Sequence, residues 1–260
     1  MISQSYDHFY TNVLQQICDP GKERIKGLTQ CPYTAERICL ARDPGFATLL
    51  TASLIRMLLI QPIMTMQLAV FDLDYTIWQP EMYQLDGPPK LVSVEEFQGK
   101  RKRKSKMAPR QVPTGSTTIY KNKIAVDRSG TPITVFDGAS HALSDINRRT
   151  KETGLRTAIS SRTDEASWAY QLMKWLVAAD GVSLSQCFDR DLIEISYNEK
   201  KRHFESLHRK TGIPFESMAF FDNEYWNIQN VGQLGVKCYH TPNGMTRKDW
   251  NQCLEDFGVM

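Results

Sequence analysis

Residues 67–76 read Gln-Leu-Ala-Val-Phe-Asp-Leu-Asp-Tyr-Thr, an apolar, β-prone run that stops at two carboxylates spaced i, i+2 and a hydroxyl. Little of the run is polar, so it fits a buried strand of a parallel sheet. Open α/β sheets carry their ligand sites at the carboxyl ends of the strands. Asp72 and Asp74 at such an end repel each other unless a proton or a cation lies between them. A hard divalent metal with oxygen ligands is the simplest resolution. A strand followed by an Asx-type turn explains the same pair without any chemistry, so the rest of the chain has to decide.

From residue 140 onward the pattern alternates. Ser140 is placed to N-cap a helix carrying Ala142, Leu143 and Ile146 and ending near Gly154. Residues 155–159 form a strand that ends in Ser160-Ser161-Arg162. Thr163 is placed to cap the next helix, with Asp164 and Glu165 suited to its first turn. Met173 falls on that helix's apolar stripe with Ala169, Leu172 and Leu176, which makes it core and not a ligand. A strand at 192–196 precedes a helix over 200–211 closed by Gly212. A strand at 217–222 again ends in an acid. A helix through Asn227, Ile228, Val231 and Leu234, a strand at 236–239 and a helix at 246–257 complete the series. This alternation over 67–257 predicts a doubly wound, Rossmann-like parallel α/β sheet. Between the first strand and the first helix, 119–126 and 131–136 flank the turn residues Asp127-Arg128-Ser129-Gly130. They predict a small β-hairpin placed to lean over the site as a short lid.

The 260 residues have room for one such domain at 67–257, with an insertion at 79–136 and an irregular, poorly ordered extension at 1–66. The formal charge of +3 is local, because residues 100–110 hold seven Lys/Arg and no acid, so the remainder is net acidic. That run reads as a solvated loop, with nuclear import as its alternative use. No aromatic residue interleaves it within 98–118 to stack bases, which argues against a nucleic-acid partner. The six cysteines form no CxxC pair, and a reducing, cytoplasmic setting is expected. Residues 46–66 are the most apolar segment, but Arg56, Gln61 and Pro62 interrupt them, so no membrane span is expected. Met64 and Met66 stand just before the first strand, and the domain loses nothing by starting at either.

Three strands thus end in reactive groups: Asp72/Asp74/Thr76, Ser160/Ser161/Arg162 and Asp222/Asn223/Glu224. Lys200 opens a helix just after a fourth. Each has a dull explanation alone, but their shared position at one sheet edge does not. Here the chain resembles the haloacid dehalogenase (HAD) superfamily, whose first motif is DxDx[TV], and more closely its magnesium-dependent phosphatases. The matching words are 68–76 followed by Trp78, Ser161-Arg162-Thr163, Lys200 with His203-Phe204, residues 210–215, and Phe220-Phe221-Asp222.

That resemblance implies a Mg²⁺-dependent phosphatase in which Asp72 is the nucleophile and becomes an aspartyl phosphate. Asp74 is then the general acid and base. Ser161, Arg162 and Lys200 hold phosphoryl oxygens. Asp72, Asp74 (through its carbonyl) and Asp222 hold the metal. The chemistry suits these residue types, since a carboxylate attacks phosphorus once a cation offsets its charge. The general acid needs a raised pKa, which neighbouring acids are expected to supply. The family has a second acid where this chain has Asn223, and Ser160 beside Ser161 leaves open which hydroxyl meets phosphate. The resemblance implies phosphorylated protein or small-molecule substrates, phosphotyrosine-like or sugar phosphates including ketoamine phosphates, and a monomer is expected. Two alternatives stand beside it: a protein phosphatase of the polymerase-tail type, and a weakly catalytic HAD-fold binding protein that uses the basic loop. Dehalogenation has no need of Asp74.

Overall fold

A computed structural model describes residues 65–99, 119–120 and 122–259. The expectations for residues 1–64 and for the basic run 100–110 lie outside the described residues. In chain order the elements are β1 (Leu68–Phe71), β2 (Trp78–Gln79), β3 (Lys90–Ser93), α1 (Val94–Gly99), β4 (Ile119–Tyr120), β5 (Lys123–Val126), β6 (Thr134–Val135) and α2 (Asp137–Thr153). There follow β7 (Arg156–Ser161), α3 (Ala166–Trp175), α4 (Leu184–Cys187), β8 (Ile193–Ile195), α5 (Lys200–Thr211), β9 (Met218–Asp222), α6 (Tyr225–Gly232), β10 (Lys237–His240) and α7 (Arg247–Asp256).

The main sheet is parallel, in the order β10-β9-β1-β7-β8. β1 is central and fully buried, which is why its sequence is apolar at both parities. Ala69 and Phe71 face one layer, with Leu143 of α2, Leu172 of α3 and Trp250 of α7. Leu68 and Val70 face the other, with Phe204 of α5 and Val231 of α6. Helices on both faces make this the predicted doubly wound sheet. Met173 is buried in the first layer, as its stripe predicts.

The insertion differs from the expected hairpin. The turn at 127–130 forms, with Asp127 donating its N–H to Thr131 O and a bridge joining Val126 to Pro132. The strands then part company. β5 pairs with β3 and β4 in a three-stranded antiparallel sheet, and β6 pairs with β2. A strand has two edges: β3 takes one edge of β5, while the other is shared by the Val126–Pro132 bridge, with Ile133 N–H on Ala125 O at 2.9 Å, and by β4, a division that local alternation does not foretell.

Two helix starts also shift. α2 begins at Asp137, not after Ser140. Asp137 places its charge in the first turn and pairs with Arg247 at 2.7 Å, an acid well matched to the helix dipole. α3 begins at Ala166, because Thr163 uses its hydroxyl to accept the Glu165 N–H at 3.3 Å in a local turn. Asp164 and Glu165 therefore precede that helix.

Gly138 carries a sharp steric demand. A Cβ there would lie 2.2 Å from the Thr246 carbonyl carbon and 2.3 Å from Met245 O. Those are backbone atoms, and Met245 N is itself bonded to Thr76 O behind the site. Gly138→Ala is expected to lower stability by about 1–3 kcal/mol in urea unfolding. Gly232→Ala, whose Cβ would meet only Cys238 Sγ at 4.0 Å, is the near-neutral control.

Candidate active site

The register builds the site. Phe71 pairs with Ile159 on one side and with Phe221 on the other. The next residues, Asp72, Ser160 and Asp222, therefore form one row at the carboxyl edge of three adjacent strands. By strand alternation they share the parity of Val70, Ala158 and Phe220, which face the α5 layer. α5 enters that layer with Lys200 at its first position.

Lys200 Nζ donates to Asp72 Oδ1 at 2.5 Å and to the Ser160 carbonyl, and lies 3.2 Å from Asp222 Oδ2. All three side chains are buried. The cation between the acids is thus a lysine ammonium, and it joins Asp72 to Asp222 rather than to Asp74. Burial disfavours the ammonium, but Asp72 and Asp222 outweigh it and hold Lys200 above the ordinary lysine range. Burial pushes the Asp72 carboxyl up to about 8, against the pull of Lys200 and with a further push from Asp222. Two acids against one ammonium leave an excess negative charge in a buried place. A proton on Asp72 or an added cation relieves it.

Asp74 is turned by a tight loop. Leu73 O accepts the N–H groups of Thr76, Ile77 and Trp78, and Tyr75 adopts φ 54°. Trp78 Nε1 donates to Asp74 Oδ1 at 2.8 Å, so the Trp that follows the motif holds the second acid in place. The Asp74 pKa rises to about 6. Burial is the main cause, opposed by the Trp78 hydrogen bond. Neighbouring acids were expected to raise it, yet among them only Glu81 contributes in that sense, and weakly.

A cleft of about 360 Å³ opens over this edge, and Asp72, Asp74, Ser161, Arg162 and Lys200 line it. Asp222 is fully buried and lies beneath that lining. Ser160 is fully buried too, with its hydroxyl on His203, whereas Ser161 faces the cleft. From the insertion, Glu81, Met82 and Tyr83 reach the cleft, so the short turn at Met82–Gln84 stands where the hairpin was expected.

Asn227 is the residue that sequence reading missed, since it was counted only as part of an amphipathic helix. It is buried, and its Nδ2 donates to Asp222 Oδ1 and Oδ2 at 3.2 and 3.1 Å and to Glu224 Oε2 at 3.1 Å. A polar residue in an apolar stripe, five positions after a site acid, was the available signal. Asn223 donates its backbone N–H to Thr76 Oγ1 at 3.0 Å and lines the cleft. Among the described residues no three His, Cys, Asp or Glu side chains converge as a metal-binding group. The donor set of Asp72 and Asp222 is small and all-oxygen, as suits a hard cation that keeps its waters.

Comparison with known proteins finds phosphatases. The acid phosphatase family matches residues 64–259. Human magnesium-dependent phosphatase 1 is 33% identical over 191 residues, covering 74% of this chain and 86% of that protein. A HAD-like hydrolase superfamily protein of Schizosaccharomyces pombe is 26% identical over 174 residues, 64% of this chain and 80% of that one. The N-terminal part of a Bacteroides fragilis protein, containing a phosphatase domain complexed with Mg, covers 82% of this chain and 46% of its own length. Its identity is 14% and its TM-score 0.43, too low to carry weight. The chain belongs to the acid phosphatase family.

Proposed function

We propose that this protein hydrolyses phosphomonoesters with Mg²⁺ through an aspartyl phosphate on Asp72. The observation that carries the reading is the Lys200 ammonium held between Asp72 and Asp222 at the floor of a cleft that Asp74, Ser161 and Arg162 also line. In this reading Asp72 Oδ attacks phosphorus and the bond to the leaving oxygen breaks. Asp74, with its pKa near 6, gives that oxygen its proton. It then takes a proton from the water that displaces Asp72 from phosphorus. Lys200, Ser161 and Arg162 hold the transferring oxygens by charge and hydrogen bonds, the main source of rate in phosphoryl transfer. Asp72, Asp222 and the Asp74 carbonyl would hold Mg²⁺, which when bound neutralises charge shared by the nucleophile and the phosphate.

The relative named magnesium-dependent phosphatase 1 and the match to the acid phosphatase family support phosphatase activity and the use of Mg²⁺. Phosphotyrosine-like protein groups and sugar phosphates, ketoamine phosphates included, are the substrates proposed. Residues 67–257 are taken as the phosphatase domain, 79–136 as its cap insertion and 1–66 as an extension. Among the described residues no helix is long and apolar enough to cross a membrane.

Phosphate release from para-nitrophenyl phosphate tests the reading. Turnover is expected with Mg²⁺, loss on chelation with EDTA, and recovery on adding Mg²⁺ back. Turnover that survives chelation rejects the metal. An absence of release from aryl, sugar and peptide phosphates alike rejects the phosphatase. The same panel ranks the two substrate classes.

A further inference from the structure

One buried side chain beside the cleft has no part in the chemistry above. His203 is 1% exposed and uses both ring nitrogens. Nδ1 lies 3.0 Å from Ser160 Oγ and Nε2 2.9 Å from Ser196 Oγ. It stands one turn along α5 from Lys200, on the same face of the helix. Ser160 is therefore held twice by α5, through its carbonyl by Lys200 and through its hydroxyl by His203. Ser196 continues the β7–β8 pairing, donating its N–H to Ser161 O at 3.1 Å. The imidazole thus ties α5 to both strand ends that flank Ser161.

The proton on the ring can be assigned from its neighbours. Ser196 Oγ accepts from Asn198 N at 3.4 Å and from Asn198 Nδ2 at 3.1 Å. Its lone pairs are then used, and its O–H is left to donate to Nε2. The neutral ring carries its hydrogen on Nδ1 and donates it to Ser160. Burial and the nearby Lys200 ammonium push His203 down to about 4, so the neutral form prevails at ordinary pH.

We infer that His203 is a positioning residue, which acts through Ser160 and Ser196 to fix Lys200 and Ser161 against the transferring phosphoryl group. This rests on the phosphatase reading. Lys200 grips the Ser160 carbonyl, and Ser161 is the next residue along the same strand. A shift of Ser160 therefore moves one phosphate ligand directly and releases the anchor of the other. Misplacements of about 1 Å cost up to on the order of 10²-fold in rate.

The test compares His203→Leu, which fills the space, with His203→Asn, whose amide N–H can take the place of Nδ1–H toward Ser160. Ser160→Ala and the Ser160→Ala/His203→Leu double variant complete the set. Rates are normalised to folded protein by circular dichroism and thermal melting. The Leu variant is expected to lose roughly 10- to 100-fold in kcat/KM for para-nitrophenyl phosphate, and inorganic phosphate should inhibit it less well. The Asn variant should recover most of that loss. The double variant should be no worse than the poorer single variant, as for residues that act as a unit. A purely structural histidine would lower the melting temperature and leave normalised kcat and phosphate inhibition alone, and that result overturns the inference. Equal impairment of the Leu and Asn variants overturns it as well. A wild-type protein without turnover sinks the phosphatase reading and this inference together. An active wild type with an insensitive His203 sinks this inference alone.

Discussion

Asp72→Asn is expected to abolish phosphate release, by at least on the order of 10⁴-fold in kcat, as for loss of a covalent nucleophile. The variant keeps the shape of the side chain and one oxygen to accept from Lys200. What it removes is the charge that attacks phosphorus. The same substitution makes an opposite prediction for stability. The folded pKa of Asp72, about 8, lies above its ordinary value of 3.8, so the folded state binds this proton more tightly than the unfolded state. Stability from this group is complete below pH 3.8 and is lost as pH rises toward 8. Asparagine has no proton to lose. Without Mg²⁺, Asp72→Asn should therefore be more stable than wild type by a margin that grows between pH 4 and pH 8. Urea unfolding at four or five pH values measures it. A variant that is inactive but better folded separates chemistry from collapse. Equal phosphate release by the two proteins places the nucleophile elsewhere.

That both effects meet at one residue explains how much of this protein was legible in its sequence. Strand β1 could be read because a run buried on both faces has to be apolar at every position, and Asp72 marks where the apolar run ends although burial continues. The row formed by Asp72, Ser160 and Asp222 follows from parallel register once those three strands are known to be neighbours, and their shared endings in polar groups suggested it. The partner of Asp72 was harder to see. Lys200 sits in Glu199-Lys200-Lys201-Arg202, a run that reads as a solvated face on its charges alone, and its place after a strand and the resemblance single it out as a phosphate ligand and not as the partner of Asp72. Strand parity decides it, by aiming Asp72 and Asp222 at the layer where α5 begins. Asn227 was hidden for a related reason. It occupies an ordinary position in an amphipathic helix, and its purpose is visible only when the buried carboxylate of Asp222 is found opposite. In the insertion the turn at 127–130 was legible, but the pairing of β5 with β3 and β4 was not, because alternation is blind to partners distant in sequence.

Lys200→Met should be the most damaging single change to both fold and activity. Methionine matches the length of the lysine stem but leaves Asp72 and Asp222 side by side, buried, with no cation between them. Removing one partner of a buried ion pair costs about 3–5 kcal/mol, because the remaining charge is neither solvated nor paired. Here two carboxylates are stranded, and at least one must take up a proton. A protonated Asp72 cannot attack phosphorus, so activity falls through the nucleophile as well as through the lost phosphate contact. The cause can be isolated with Asp72→Asn/Lys200→Met at pH above 8, where Asp72 is ionised beside Lys200 and the double variant removes one of the two acids left without a cation. If uncompensated charge is what unfolds the single variant, the double variant is more stable than Lys200→Met despite carrying one more substitution. A pairwise coupling of about 1–3 kcal/mol in urea unfolding is the expected size for groups in direct contact. If the two losses simply add, the ammonium stabilises this sheet edge by packing rather than by charge. The reading of Lys200 as the built-in counter-ion of the Asp72–Asp222 pair then fails.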